Sequence, residues 1–180
     1  MTSAPIAQQR LLIDLQDLDS HLARLRHERK HLPVLTRIEA VIERLKANKR
    51  AAIQAEAALD EAKKQATRSE DEVGQVARRA EVLRERLHSG SSAARDLSAI
   101  QGEIDQLGQR QSALEEAQIV AMEALDSARQ EAERLSQEEA EIRAAGRELT
   151  AKRDAEFARL DDEIESLENQ RADLAGTIEA

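Results

Sequence analysis

"HSGSSAARD", residues 88–96, decides the fold. Ser-Gly-Ser-Ser is the only cluster of helix-breaking residues in a chain otherwise built from Ala, Glu, Leu, Arg, Gln and Lys, the composition of long helices and coiled coils. Gly90 can take the left-handed conformation that ends a helix, and Ser91 or Ser92 can cap the next one. The cluster falls at the midpoint of 180 residues. One helix is therefore expected over about 5–88, a tip over 89–92, and a second helix of nearly equal length over about 93–178.

Heptad seams run on both sides of this breaker. Leu11, Leu15, Leu18, Leu22, Leu25 and Leu32 follow the alternating 4,3 spacing of a coiled coil. Pro33 interrupts them, and the seam resumes in a shifted phase at Leu35, Ile38, Ile42 and Leu45, which predicts a kink near Pro33. From Leu45 strict 3,4 steps lead through Asn48, Ala55, Ser69 and Val76 to Leu87, with small residues dominating the middle. Small seam residues let helices approach but bury little area, so this stretch is expected to be the weakest at about 25 cal/mol per Å². Beyond the tip, Leu97 to Leu149 keeps the heptad, slips through Arg153 and Phe157, and continues from Leu160 to Ile178.

Folding back at Gly90 brings seam to seam: Val76 faces Ile104, Leu22 faces Leu160 and Leu15 faces Leu167. Pro33 falls opposite about residue 148, so the two phase slips also meet. The fold class that follows is all-α: a long antiparallel two-helix coiled-coil hairpin, kinked near Pro33, occupying residues 1–180 as one unit, each arm roughly 125 Å long at 1.5 Å per residue. A parallel dimer of one continuous helix would need Ser-Gly-Ser-Ser inside a coiled coil and would leave the mirrored slips unexplained.

Composition excludes other classes. A globular core of this length normally draws on several aromatics, and Phe157 is the single Phe, Tyr or Trp. The sustained periodicity argues against disorder despite 35% charged residues. Net charge is −9, unevenly spread: residues 21–50 hold nine Lys/Arg against three acids, and residues 154–180 hold nine acids against two Arg. Overall acidity argues against a dedicated DNA binder. With no secretory leader pattern, no apolar run near 20 residues and no cysteine, a cytoplasmic location without membrane contact is expected, and thiol metal sites and disulfides within these residues are excluded.

"RDLSAIQGEIDQLGQRQSALEEAQIVAMEAL", residues 95–125, resembles the segment after the hairpin turn in bacterial C4-type zinc-ribbon proteins with an N-terminal coiled-coil hairpin. Leu97, Gln101, Glu103, Ile104, Arg110, Gln111, Leu114, Glu115, Met122 and Glu123 match that family's pattern. "LLIDLQDLDSHLARLRHERKHLP", residues 11–33, is similar to its first helix. Arg95-Asp96 stands where Lys-Glu is usual, and Glu115-Glu116 where Glu-Asp is usual; both changes keep the charge. The resemblance implies that these residues are the coiled-coil part of a longer protein whose Cys-x-x-Cys pairs hold zinc, since this stretch carries none. It also implies adaptor or chaperone-like roles, links to flagellar or secretion systems and a sigma factor, and nucleic-acid binding as a proposed activity.

Four features compete as sites. "HERKH", residues 27–31, fits H-E-x-x-H, in which two histidines one turn apart hold zinc and the glutamate is the base. On the heptad, however, His27 and His31 point outward, and no third ligand or substrate cleft is in reach. No catalytic, cofactor-binding or metal residue is assigned. A basic patch, Arg24, Arg26, Arg29, Lys30 and Arg37, could meet RNA or an acidic protein, or be neutralised by the opposing acids. No aromatics interleave it, so bases have nothing to stack on. The tip residues Ser89, Gly90, Ser91, Ser92, Arg95 and Asp96 are candidate partner contacts. The polar seam residues Asn48, Gln111, Gln118, Glu139 and Arg153 set register or mark bending points. The expectation is a non-enzymatic adaptor or scaffold that binds protein partners, with self-association allowed and nucleic acid as the alternative ligand.

Overall fold

Leu32-Pro33 divides the first arm into two helices. A computed structural model of the chain describes residues 6–90 and 93–179. They form α1 (Ile6–Lys30), α2 (Pro33–His88) and α3 (Ala94–Glu179), with no strand among the described residues. Pro33 is not inside a helix. It is the first residue of α2, where its missing N–H would have had no helical partner in any case and its fixed φ suits the helix. The Leu35 amide donates to the Leu32 carbonyl at 3.0 Å, starting the new helix. The His31 amide closes α1 on the carbonyls of His27 and Glu28 at 3.1 and 3.0 Å. The sequence predicts a kink; the structure makes it a clean restart.

The restart corrects one seam residue. Ile42 is 46% exposed, and Val41 is the half-buried residue of that turn. The strict 3,4 phase therefore runs back through Val41 and Ile38 to Val34, and the whole phase change falls at the break instead of being spread over residues 35–45. Leu45, Asn48, Ala55, Ser69, Val76 and Leu87 all face inward, as do Leu97, Ile100, Leu135, Leu149 and Leu160.

At the other end of α2, His88 Nδ1 lies 2.7 Å from the Arg84 carbonyl, the Ser89 hydroxyl donates to the Arg86 carbonyl at 2.9 Å, and the Ser89 amide donates to the Glu85 carbonyl at 3.0 Å. Gly90 has φ +65°, the left-handed conformation open to glycine without strain. The expected capping residues Ser91 and Ser92 lie outside the described residues. The Ala93 carbonyl accepts from the amides of Asp96 and Leu97 at 2.9 and 3.1 Å, and the Asp96 carboxylate sits in the first turn of α3, where the helix dipole favours it.

The chain divides into two compact units. Unit 1 comprises Met1–Lys46 with Ala140–Ala180, and unit 2 comprises Ala47–Glu139. Unit 1 centres on Leu25, Leu32 and Leu160, with Val34, Leu35, Phe157, Ile164 and Leu167 packed around them. Phe157, at the slip of the second arm, thus sits beside Leu32, at the break of the first. The register differs from the expected one. Pro33 shares a hollow with Lys152, Ala155 and Glu156, further along α3 than residue 148. The offset is already present at Val41, which lies against Gly146 on the tip side of the break, so it arises within α2 and not at His31 and Leu32. Unit 2 is held by the seam pairs of α2 and the first half of α3, with Val76, Ala80, Leu83, Ile100 and Ala121 buried.

Candidate functional site

Two of the five residues of the basic patch, Arg26 and Arg29, are spent on the opposing arm. Arg29 donates to both oxygens of Asp161 at 2.6 and 3.0 Å. Its guanidinium also lies 4.3 Å from the centre of the Phe157 ring, a cation–π contact on the unit 1 core. Arg26 reaches Glu168 at 2.6 Å, and Arg171 of α3 answers with Asp19. The Arg29 guanidinium beside Asp161 holds that carboxyl below the usual range, and Arg171 does the same for Asp19. Arg24 stands in a polar hollow with Asp14, Asp17 and His21. Arg24, Lys30 and Arg37 are exposed and have no ion-pair partner among the described residues.

HERKH is bound up in the same way. The His27 and His31 rings stack with centroids 4.1 Å apart, and His31 Nδ1 lies 2.8 Å from the His27 carbonyl. Glu28, the base in the protease reading, instead accepts from Arg159 at 3.2 Å. No three His, Asp or Glu side chains converge as a metal site among the described residues. The four-thiolate zinc site implied by the resemblance does not fit these 180 residues, because they contain no cysteine to ligate it.

At the tip, Ser89, Gly90, Arg95 and Asp96 are exposed. Among the polar seam residues, Asn48 is buried and donates from Nδ2 to the Leu135 carbonyl at 3.3 Å, while its Oδ1 accepts no hydrogen bond from the protein. Gln111 donates to Glu115 at 2.8 Å along its own helix, and Arg153 turns to Asp154 at 2.7 Å. Gln118 and Glu139 are half-buried.

Two apolar surfaces escaped the sequence reading. Ile119, Val120 and Met122 are 58%, 64% and 55% exposed on one stretch of α3 in unit 2. They could have been found, since they fall between the seam positions Gln118, Ala121 and Leu125 and must face outward. In unit 1, Ile38, Val41, Ile42, Leu45, Ile142 and Gly146 floor a groove of about 630 Å³. Its depth has a cause: Gly146 carries no side chain, and a Cβ there would come within 3.4 Å of Val41 Cγ1. This groove could not be read in advance because it depends on Ile42 lying outside the seam.

Long helices paired through a heptad seam define a coiled-coil hairpin protein. The chain belongs to the CT398-like coiled coil hairpin domain family, which it matches over residues 15–180. It is 34% identical over 192 residues to two Mycobacterium tuberculosis proteins, Uncharacterized protein MT2288 and Uncharacterized protein Rv2229c, covering 94% of this chain and 77% of each of theirs. A solved structure from Mycobacterium smegmatis superimposes with a TM-score of 0.78 at 26% identity, covering 98% of this chain and 73% of that one. No described helix is long and apolar enough to cross a membrane.

Proposed function

We propose that the chain is a non-enzymatic, cytoplasmic adaptor or scaffold, chaperone-like in its use of a helical hairpin to hold other proteins. The observation that carries this reading is the exposed apolar pair Ile119 and Met122, one turn apart on α3. Isolated surface apolar residues are ordinary, but two stacked at i and i+3 on a helix that already has its core suggest a contact surface. The resemblance of residues 95–125 to zinc-ribbon proteins supports a parent protein in which this hairpin is the N-terminal part and cysteines elsewhere hold zinc.

A photo-crosslinking amino acid at Met122 tests the reading in cells. Covalent adducts to a defined protein, lost on Ile119→Glu, support it. Adducts that are unchanged by Ile119→Glu, or that contain only this chain, oppose it.

RNA is the second reading, favoured by Arg24, Lys30 and Arg37, which have no ion-pair partner among the described residues. It calls for binding that falls steeply with salt and is lost when these three become Glu. The ion pairs of Arg26 and Arg29 weigh against it.

A further inference from the structure

We infer that the unit 1 groove between α2 and α3 receives an acidic amphipathic helix of a protein partner. This rests on the adaptor reading and names the chemistry of one partner. The floor is apolar, and Ile42 leaves 46% of its surface open there although the seam beside it is closed. Arg147 lines the groove and has no ion-pair partner among the described residues. Arg37 and Lys152 line the adjoining hollow at Pro33 and are equally unpaired among the described residues. The carboxylates on these walls are already engaged: Asp154 holds Arg153 at 2.7 Å, and Glu156 holds Arg159 at 3.1 Å. Cations without ion-pair partners among the described residues around an apolar floor, with the two lining acids engaged, complement a segment that carries an apolar stripe flanked by Asp and Glu. From Ile38 to Leu45 the floor accommodates about two turns of such a helix.

A second copy is the poorer occupant. The acid-rich stretch of this chain, residues 154–180, has Leu160, Ile164 and Leu167 in its own core and Asp161 and Glu168 in ion pairs with α1. Its apolar stripe is thus already spent on its own core. RNA would satisfy the cations but gain nothing from the floor.

The test uses the full chain and a fluorescein-labelled 20-residue helical peptide with Leu at i, i+3, i+4 and i+7 and Glu on the remaining face. Two control peptides replace Glu by Lys or Leu by Ala. Binding of the acidic peptide about tenfold tighter than either control, the equivalent of about 1.4 kcal/mol, is expected. Ile42→Asp and Arg147→Glu should each lose about tenfold, and Val82→Asp, at an exposed apolar residue of unit 2, should change nothing. Both groove changes are at exposed positions, and circular dichroism of each variant establishes that it is folded. Equal binding of all three peptides, or indifference to Ile42→Asp, overturns the proposal. So does a concentration-dependent dimer, seen by sedimentation, that Ile42→Asp dissolves. The Met122 crosslinks read a surface of unit 2, so the adaptor reading and this groove can fail separately.

Discussion

The two units solve the same packing problem with different side chains. Unit 1 uses large ones: Leu25, Leu32 and Leu160 form its centre, Phe157 fills the space at the helix break, and Arg29 caps the ring. Ion pairs then tie α1 to α3 through Asp19–Arg171, Arg26–Glu168, Glu28–Arg159 and Arg29–Asp161. Unit 2 mixes sizes: Ala55, Ser69, Ala80 and Ala121 are buried in its seam beside Val76, Leu83, Ile100 and Leu135, and Arg79–Glu103 at 2.9 Å bridges α2 to α3 there. Helices that meet through Ala and Ser gain less apolar burial per turn, so the same α-helical hairpin should be tight by volume in one unit and tight by close approach in the other.

The largest effect should come from emptying the unit 1 core. Leu160 is fully buried, and Leu160→Ala removes its side chain from the middle of the cluster. A loss of about 3 kcal/mol is expected. Hydrogen exchange should rise in α1 and residues 140–179 while unit 2 amides keep most of their protection. Equal loss of protection in both units would mean that they unfold as one, and the contrast drawn above would collapse. In unit 2 the damaging change is the opposite one. Ala80 is fully buried between Val76 and Leu83, so Ala80→Leu overpacks the seam at a cost of about 2 kcal/mol, read as a lower denaturation midpoint. If Ala80→Leu stabilises the chain, the small residues there are gaps rather than points of close approach.

Asn48 offers a gain. Its Oδ1 is buried without a protein partner, and its one hydrogen bond, to the Leu135 carbonyl, is long at 3.3 Å. Asn48→Leu trades that bond for apolar burial and relieves the unsatisfied oxygen, for a stabilisation of about 1 kcal/mol. Its cost should be specificity, since a polar seam residue fixes register. Paired spin labels on α2 and α3 of unit 2 should then show a broader distance distribution. A distribution as narrow as the parent's would mean that the register is set elsewhere.

How much of this was legible follows from which interactions are periodic. The seam from Leu45 to Leu87 and from Leu97 to Leu174 could be read directly, because each position repeats a spacing tied to the helix. The tip could be read because Gly90 and its serines are the sole breaker cluster. Ile42 was misplaced because Pro33 begins a helix rather than bending one, and a new helix sets its own phase. The opposing register near Pro33 was misplaced because counting back from Gly90 assumes a fixed offset between the arms, from which the contact of Val41 with Gly146 already departs. The candidate sites were harder still. Arg29 looks like any exposed cation until Asp161, 132 residues further on, is placed beside it. The groove at Gly146 depends on which of two adjacent residues, Val41 or Ile42, turns inward.

The smallest effect is electrostatic. Asp161 and Asp19 have carboxyl groups held below their ordinary range, chiefly by hydrogen bonds from Arg29 and Arg171. A carboxyl whose folded value lies below its unfolded value of about 3.9 binds fewer protons when folded. Its contribution is therefore complete above about pH 4 and fades as pH falls through the folded value. Both pairs lie in unit 1 and are solvent-exposed, so the contribution is modest and screened by salt. Unit 2 has a depressed carboxyl of its own, Glu131, but its partner Arg134 lies one turn along the same helix, so its titration does not touch the contact between arms. Acidification from pH 5 to pH 2.5 should accordingly raise exchange in α1 more than in the first half of α3. Asp161→Asn should remove part of that difference, and 0.5 M salt at pH 7 should mimic it. If the acid sensitivity of α1 is the same in Asp161→Asn as in the parent, the arms of unit 1 are held by Leu25, Leu32, Phe157 and Leu160 alone, and the ion pairs between them only decorate the surface.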